Sequence, residues 1–387
     1  MNKPLSGIKV VELATFVAGP VTARLLADLG ADVIKVEAPA GDAWRQAGIS
    51  MLPQFSEQEN PVFDIYNTGK RHISLNLKTQ EGIEAFHKLL AQADVFVTNT
   101  RPAALKRLGL SYEELKDKYP SLIYAIILGY GENGPDSHKV AFDQTAFWSR
   151  SGFLRDLSVK SENYYPVVAP SSVGDTATGY LLMGEITTAL FNRTRTGKGD
   201  FVSSTLYHNG IFCMGTMAII TQPPFGKQYP ITRVDTGCPG GAFECSDGEW
   251  IFISPGNPDI TYPRFYRIIG HPELTDDPRF NSENRWENRE IYYRFFRDAF
   301  LTKPAHEWVR LADEADVPLV RMCHFSDIST DEQAWANHFL ENVSFPNGST
   351  IWFGYCASDT DLGQYQGAEY DVLFFDEATQ FKEDWIR

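Results

Sequence analysis

Short apolar runs alternate with helical patterns through the first third of the chain, and this alternation constrains the fold most strongly. The runs cover residues 8–13, 32–37, 72–77, 95–98 and 122–127, and the segments between them repeat apolar side chains at helical spacing. Strands that alternate with helices favour a parallel sheet with right-handed crossovers. Because 387 residues exceed what a single core usually holds, we also expect a second unit.

The second half of the chain follows another pattern. A helix is predicted from Thr176 to about Phe191, and residues 201–206 could add a strand. Residues 220–240 are rich in Pro and Gly, which is typical of a linker. A hairpin and several helices follow between residues 242 and 323. These features predict an α/β chain in which a parallel sheet is accompanied by a smaller α+β unit.

The formal net charge of −15 limits the classes of partner. Broad nucleic-acid binding needs clustered excess Lys and Arg, so we expect no nucleic acid as a partner. An anionic small ligand is still possible, because salt screens charges over about 8 Å and a local basic pocket can therefore act within an acidic protein. Five cysteines without a C-x-x-C pair, a start without a signal peptide and no membrane-length apolar run predict a soluble cytoplasmic protein with free thiols and no membrane contact.

Common cofactor and nucleophile motifs are absent from the sequence. The turn at residues 14–20 lacks the G-x-G-x-x-G fingerprint, which disfavours nicotinamide redox chemistry, and Pro20 suits a first helical position. The eight histidines are dispersed without metal-binding spacing, so we expect no metal. A G-x-S-x-G elbow and a P-loop are absent as well.

One aspartate, Asp175, stands at a predicted helix start. The helix dipole should lower the pKa of its carboxyl and keep it ionised, as an attacking carboxylate must be. Gly174 would allow an unusual backbone angle, and Gly179 would allow another backbone or a ligand to approach closely. From the residues alone, a simple N-cap is the commoner role for an aspartate at this place.

Basic residues recur near the predicted strand ends, where ligands bind in parallel sheets. Solvated surface charge explains most of them individually, but their recurrence at one edge makes an anionic ligand worth proposing. These residues are Arg45, Lys70, Arg71, Lys78, Arg101, Arg107 and Lys139.

Several segments, taken in order, resemble the family III CoA-transferases, which include formyl-CoA, carnitine and aryl-lactate CoA-transferases. Residues 4–13, 18–20 and 26–37 closely resemble the opening of that family. The resemblance continues through residues 74–78, 129–131, 142–143, 174–175, 196–199 and 331–336. It weakens after about residue 357.

The resemblance implies a large Rossmann-like CoA-binding domain from residues 1–205 and 336–387, and a small domain from residues 225–325. Linkers of residues 206–224 and 326–335 would join them, and two chains would interlock as a homodimer. Coenzyme A and acyl-CoA would be substrates, with a small carboxylic acid as acceptor and no tightly bound cofactor.

By the same resemblance, Asp175 is the nucleophile. It would attack a donor acyl-CoA, form a mixed anhydride and then a CoA thioester, and pass CoA to an acceptor carboxylate. Residues 237–241 partly match the glycine-rich active-site loop of the family. The implied CoA contacts are Ala18, Arg45, Leu75, Lys78, Asn99, Arg107 and Lys139.

Two other functions stay open. Acyl-CoA racemases of this fold use a histidine where this chain has Phe142, although His138 lies nearby, and a non-catalytic CoA-binding paralogue would keep the fold. Residues 129–136 and 142–147 look most like the aryl-lactate and 2-hydroxyisocaproate enzymes, which indicates a 2-hydroxy acid with an apolar tail. The side chains that could line a pocket for that tail are Phe16, Phe147 and Trp148, although core packing is the commoner role for at least one of them.

Overall fold

The computed structural model describes residues 3–51, 60–161, 164–223, 225–236, 240–254, 256–281, 283–344 and 350–353. The described parts of Met1–Phe153, Val168–Ile220 and Gln333–Arg387 form one compact unit, and those of Leu154–Val167 and Thr221–Glu332 form a second. Most of the predicted glycine-rich loop and the stretch from residue 354 onward lie outside the described residues. Three cysteines lie within them, and all three are free thiols, as predicted: Cys213, Cys245 and Cys323.

A six-stranded sheet forms the centre of the first unit, and every neighbouring pair of strands is parallel. The prediction of a parallel α/β sheet is therefore confirmed. The strand order is β3–β2–β1–β4–β5–β6, so the order reverses between β1 and β4. Ligands of open α/β sheets bind at the carboxyl ends of the strands at such a reversal. The strands are β1 (Lys9–Leu13), β2 (Asp32–Glu37), β3 (Arg71–Ser74), β4 (Val95–Thr98), β5 (Ile123–Leu128) and β6 (Phe201–Thr205).

Helices cover both faces of this sheet. On one face α1 and α8 contribute Leu26, Leu182 and Ile186 to a buried core, and on the other α4 and α5 contribute Phe86 and Leu105. The helices up to residue 220 are α1 (Ala18–Asp28), α2 (Ala43–Met51), α3 (Pro61–Asp64), α4 (Gln80–Leu90), α5 (Pro102–Arg107), α6 (Tyr112–Leu115), α7 (Phe153–Asp156), α8 (Val173–Thr196), α9 (Leu206–Cys213) and α10 (Gly215–Ile220), with a π-helix at Asp143–Ser149.

The close packing of α1 on α8 depends on a glycine. A Cβ atom on Gly179 would overlap the Val21 side chain and lie 3.1 Å from the Ala18 carbonyl oxygen. The close approach predicted at Gly179 is therefore confirmed, and the approaching element is α1. Pro20 is the third residue of α1 rather than the predicted first, because the helix already begins at Ala18.

The second unit contains a three-stranded antiparallel sheet in the order β7–β8–β9, with strands β7 (Gly241–Glu244), β8 (Trp250–Ile253) and β9 (Leu319–Arg321). Its helices are α11 (Arg233–Thr236), α12 (Pro258–Ile268), α13 (Arg289–Phe300) and α14 (Ala305–Glu314). Aromatic side chains such as Phe265, Phe296 and Trp308 dominate its core. A short helix α15 (Glu332–Ala336) and an antiparallel pair, β10 (Glu341–Ser344) and β11 (Thr350–Phe353), follow.

None of the described helices is both long enough and apolar enough to cross a membrane.

Candidate active site

A cavity of about 460 Å³ opens where the strand order of the sheet reverses. Residues that follow β1, β4 and β5 form its walls together with the first turn of α8. Four of the predicted site residues line it, namely Ala18, Asn99, Lys139 and Asp175. The side chains that line it also include Thr15, Phe16, Thr100, Arg101, Ser137, Phe142 and Leu206.

Asp175 is the third residue of α8 and contributes its side chain to the cavity wall. The helix begins at Val173 rather than at Thr176, and its N-cap is Ser172. The N-cap interpretation of Asp175 is therefore wrong. Local propensity placed the helix start too late, because the group that satisfies this helix end lies far away in the sequence.

That group is the carboxylate of Asp143, the first residue of the π-helix, which is only 3% exposed. Its Oδ1 accepts a hydrogen bond from the Asp175 backbone N–H at 2.9 Å, and its Oδ2 accepts one from the Ser172 backbone N–H at 3.1 Å. The Trp148 Nε1–H also donates to Oδ2, at 3.1 Å. Orphan N–H groups at a helix start need such acceptors. The sequence analysis assigned Asp143 no role, since a cap 32 residues away leaves no local signal.

The environment of the Asp175 carboxyl opposes ionisation. Burial, assisted by the negative charge of Asp143, raises its pKa to about 7. Burial also raises the pKa of Asp143, although the N–H donors to its carboxylate oppose that shift. The expectation that the helix dipole keeps Asp175 ionised is therefore wrong, because desolvation and a second carboxylate outweigh the dipole. Near pH 7 about half of the Asp175 side chains carry a charge.

Gly174 provides space rather than an unusual backbone angle. The left-handed residue at this turn is Ser172, with φ 78°, and Gly174 is not among the residues of positive φ. A Cβ atom on Gly174 would overlap Asp143 Oδ1 and the Phe147 ring. The expectation of an unusual angle at Gly174 is corrected accordingly.

Replacing Gly174 with Ala should disturb the start of α8. Since the added methyl group would displace Asp143 or Phe147, we expect a loss of about 1–3 kcal/mol in the free energy of unfolding, together with a lower turnover rate. Gly184→Ala on the same helix is the matched control, because a Cβ there meets nothing within 4 Å. That substitution should stabilise the protein by about 0.5–1 kcal/mol. Thermal unfolding checks both, and equal effects at the two positions would contradict the steric argument.

The turn after β1 forms the opposite wall of the cavity. The Asn99 side chain clamps Thr15, accepting from its backbone N–H at 3.0 Å and donating to its carbonyl oxygen at 2.7 Å. Phe16 adopts φ 64°, a left-handed conformation that is rare for a bulky residue, and its N–H donates to Asp42 Oδ1 at 3.0 Å. The turn is therefore held by two side chains from other segments.

A buried charge cluster supports this turn. Lys35 Nζ lies 2.8 Å from Glu12 Oε1 and 2.9 Å from Asp42 Oδ2, and Lys70 Nζ lies 2.8 Å from Glu12 Oε2. Each side chain in these ion pairs is fully buried. The expectation of a basic ligand-binding edge is therefore wrong for Lys70, because its ammonium group neutralises a carboxylate in the interior.

Three other basic residues that were predicted to lie at the ligand-binding edge differ in where the structure places them. Arg101 and Lys139 line the cavity, where Lys139 also pairs with Asp136 at 2.6 Å. Arg71 begins β3 and pairs with Asp32 at the start of β2, so it lies at the amino edge of the sheet and not at the predicted edge.

Four of the predicted CoA contacts lie away from the cavity lining. Arg45 pairs with Glu37 at 2.9 Å, and its guanidinium carbon lies 3.8 Å from the centre of the Phe63 ring. Leu75 packs at the edge of the core beneath α4, whereas Lys78 and Arg107 are exposed. Their contacts with CoA stay predictions.

An aromatic pair lines the cavity, and only one of its two members, Phe16, was predicted to do so. The rings of Phe16 and Phe142 meet edge to face, with centroids 5.7 Å apart. Of the three candidates for the pocket lining, Phe147 packs in the core as expected for at least one of them: it is buried and stacks on Phe153 at 5.4 Å. Trp148 is likewise absent from the lining that the described residues form, because its indole N–H is directed to Asp143.

Proton-transfer and metal-binding groups are few around this cavity. Phe142 occupies its wall, and the nearby His138 is exposed and does not belong to the lining among the described residues. Nowhere in the described ranges do three or more His, Cys, Asp or Glu side chains come together in a group that could hold a metal ion.

Comparisons with known proteins point in one direction. The family model described as CoA-transferase family III matches residues 5–363. The (R)-2-hydroxy-4-methylpentanoate CoA-transferase of Clostridioides difficile is 38% identical over 348 residues, which cover 89% of this chain and 86% of that protein. The cinnamoyl-CoA:phenyllactate CoA-transferase of Clostridium sporogenes is also 38% identical, and the aligned residues cover 89% of this chain and 84% of that protein.

Solved structures agree with the sequence matches. A CAIB/BAIF family protein from Brucella suis is 28% identical, with a TM-score of 0.76. The superposition covers 95% of this chain and 100% of the Brucella protein. The protein Rv3272 from M. tuberculosis is 26% identical, with a TM-score of 0.79 and coverage of 92% of both chains.

Proposed function

The chain belongs to CoA-transferase family III, and from this premise we propose that it moves CoA from an acyl-CoA to a 2-hydroxy or aryl-lactate type acid through a thioester on Asp175. CoA thioesters are the substrates of such enzymes. The observation that carries the proposal is the Asp175 carboxyl on the wall of a cavity at the reversal point of the sheet. A carboxylate there can reach a thioester whose CoA portion lies over the ends of β1 and β4.

The proposed reaction exchanges one thioester for another in balanced steps. An Asp175 oxygen attacks the donor carbonyl carbon, and the C–S bond breaks to give a mixed anhydride and CoA thiolate. The thiolate attacks the aspartyl carbonyl and releases the donor carboxylate, which leaves an aspartyl-CoA thioester. The acceptor carboxylate then attacks this thioester, and the C–S bond breaks to give a second mixed anhydride and CoA thiolate. The thiolate attacks the acceptor carbonyl of that anhydride, which forms the new acyl-CoA and releases the Asp175 carboxylate. Covalent catalysis of this kind replaces one difficult displacement by easier steps.

The proposed CoA contacts follow the same edge of the sheet. Ala18, Asn99 and Lys139 line the cavity. We keep Lys78 and Arg107 as candidate phosphate ligands, because both are exposed cations, Lys78 after β3 and Arg107 at the last residue of α5. Arg45 and Leu75 complete the proposed set, and the Arg45–Glu37 ion pair would have to rearrange for direct contact with a phosphate.

The acceptor would place its apolar tail against Phe16 and Phe142. Their rings present apolar surface beside Asp175, and Phe142 remains 49% exposed without a ligand. The two relatives at 38% identity bear names that specify a branched and an aromatic 2-hydroxy acid. Both acids carry an apolar tail that such a wall would bind by burial from water.

Phe142→Ala should therefore change the choice of acceptor. We expect kcat/KM for phenyllactate to fall about 10–100-fold, because the tail loses an aromatic wall, whereas kcat/KM for acetate should change little. Phe325→Ala, which removes a ring that is 84% exposed in the second unit, serves as the matched control. A parallel loss for both acids would instead indicate a general defect of the site.

Chemical trapping tests the proposed intermediate. The protein is incubated with an acyl-CoA donor, treated with hydroxylamine and digested, and the peptide that contains Asp175 is analysed by mass. A hydroxamate on Asp175 supports the thioester or anhydride intermediate. An unmodified Asp175 under conditions of active transfer would remove the mechanism.

We also propose a homodimer. Large apolar side chains remain exposed along α8, α9 and α10, including Tyr180, Phe191, Phe212 and Ile219. A contact between two copies would remove this surface from water. Measurement of the molar mass in solution tests the proposal.

A further inference from the structure

We propose that Asp143 is a positioning residue for the transfer reaction, which holds the first turn of α8 and places a second negative charge beside the Asp175 carboxyl. The inference rests on the proposed function of Asp175. Asp143 touches no substrate in this account and acts through Asp175 alone.

The positioning part follows from hydrogen bonds. Both carboxylate oxygens of Asp143 are engaged by backbone N–H groups of Ser172 and Asp175, and Trp148 fixes the carboxylate from the π-helix. Because Asp143 is bonded to the backbone of Asp175 itself, any rotation of the first turn of α8 would break the 2.9 Å contact. Gly174 leaves no side chain between the two aspartates, and a Cβ there would overlap Asp143 Oδ1.

The electrostatic part follows from which charges surround Asp175. Asp143 is the charged group hydrogen-bonded to the start of α8, and its negative charge disfavours a second anion nearby. Strands β5 and β6 carry no charged side chain. The charged or titratable groups on the other neighbouring elements are Arg101 and Lys139 on the cavity wall, the Arg24–Asp28 ion pair on α1, the exposed His208 on α9 and Glu185 further along α8.

This arrangement has a chemical consequence. A nucleophile must be ionised to attack, yet a weakly basic carboxylate is a poor nucleophile. A neighbouring negative charge makes the Asp175 anion more basic and keeps its titration close to neutral pH, where its pKa is about 7. The ascending limb of kcat/KM against pH should therefore have its midpoint near 7 in the unaltered enzyme.

The decisive variant is Asp143→Asn. Removing the charge should move the midpoint of that limb to lower pH by about one unit or more, while the loss of one hydrogen-bond acceptor lowers kcat. Asp143→Glu keeps the charge but misplaces it, so kcat should fall with little change in the midpoint. Asp117→Asn, at an exposed position after α6, is the control for a carboxylate-to-amide change and should alter neither quantity. A purely structural role for Asp143 would lower kcat in both Asp143 variants without moving either midpoint, and would overturn the inference.

A second measurement does not depend on activity. The carbon-13 shift of the Asp175 carboxyl in the ligand-free protein, assigned by its loss in Asp175→Asn, reports the titration directly. A midpoint near 4 in the unaltered protein would refute the electrostatic part without any Asp143 variant. If the midpoint shifts in Asp143→Asn but trapping leaves Asp175 unmodified, the proposed function fails while the coupling of the two carboxyls stands. If trapping succeeds and the midpoint does not move, the inference alone fails.

Discussion

Asp175→Asn should lower kcat for CoA transfer by about 10⁴-fold or more, because the amide cannot form the proposed anhydride or the proposed thioester. The amide has nearly the shape of the carboxyl, and CoA would contact other residues, so we expect the dissociation constant for CoA to change little. Chromatographic assay of thioester exchange measures the first quantity, and calorimetry with CoA measures the second.

The control for this substitution is Asp117→Asn, which should retain the full rate because Asp117 is exposed and lies after α6, away from the cavity lining. If Asp175→Asn kept more than about a tenth of the activity, a nucleophilic role for this residue would be excluded. Loss of CoA binding together with activity would point instead to a disrupted cavity.

Lys35→Ala should lower the free energy of unfolding by about 3–5 kcal/mol. Its ammonium group neutralises Glu12 and Asp42, and all three side chains are fully buried. Removal of the cation leaves Asp42 without its ammonium partner and Glu12 with Lys70 alone, in an interior where an unpaired charge is costly. Since Asp42 also accepts the N–H of Phe16, the left-handed turn at the cavity should loosen as well.

Denaturant unfolding of the purified protein measures this effect, with Lys88→Ala as the control. Lys88 is exposed on α4, so its truncation should change stability by no more than about 0.5 kcal/mol. A loss of less than about 1 kcal/mol for Lys35→Ala would mean that water or a neighbouring group compensates the two carboxylates.

Most of the first unit could be predicted from local patterns. The five runs became the strands from β1 to β5. Four of them are largely buried parallel strands, which need short apolar and β-branched runs, whereas β3 is an exposed edge strand. Thr79 caps α4 through a contact three residues away, its Oγ1 accepting the Gly82 N–H at 3.2 Å. Both signals act within a few residues along the chain, so they can be read without knowledge of the fold.

The site was predictable only in part. The choice of Asp175 followed from the resemblance, and its place near a helix start followed from the apolar pattern of residues 176–191, although the helix begins three residues earlier than that pattern predicts. The raised pKa of the Asp175 carboxyl could not be predicted, since that pKa depends on burial and on Asp143, which the fold brings close from the π-helix. The role of Lys70 was misjudged for the same reason, because burial decides whether a cation lies at the surface or in the interior.

The sequence by itself determined the order of strands and helices, the family and the identity of the candidate nucleophile, because each is encoded in short contiguous stretches. Only the tertiary structure decided which carboxylate faces Asp175, which cations are buried beneath the turn after β1, and which aromatic rings line the cavity. These properties arise from contacts between segments far apart in the chain, and the energies that set them depend on exclusion of water, which no local pattern records.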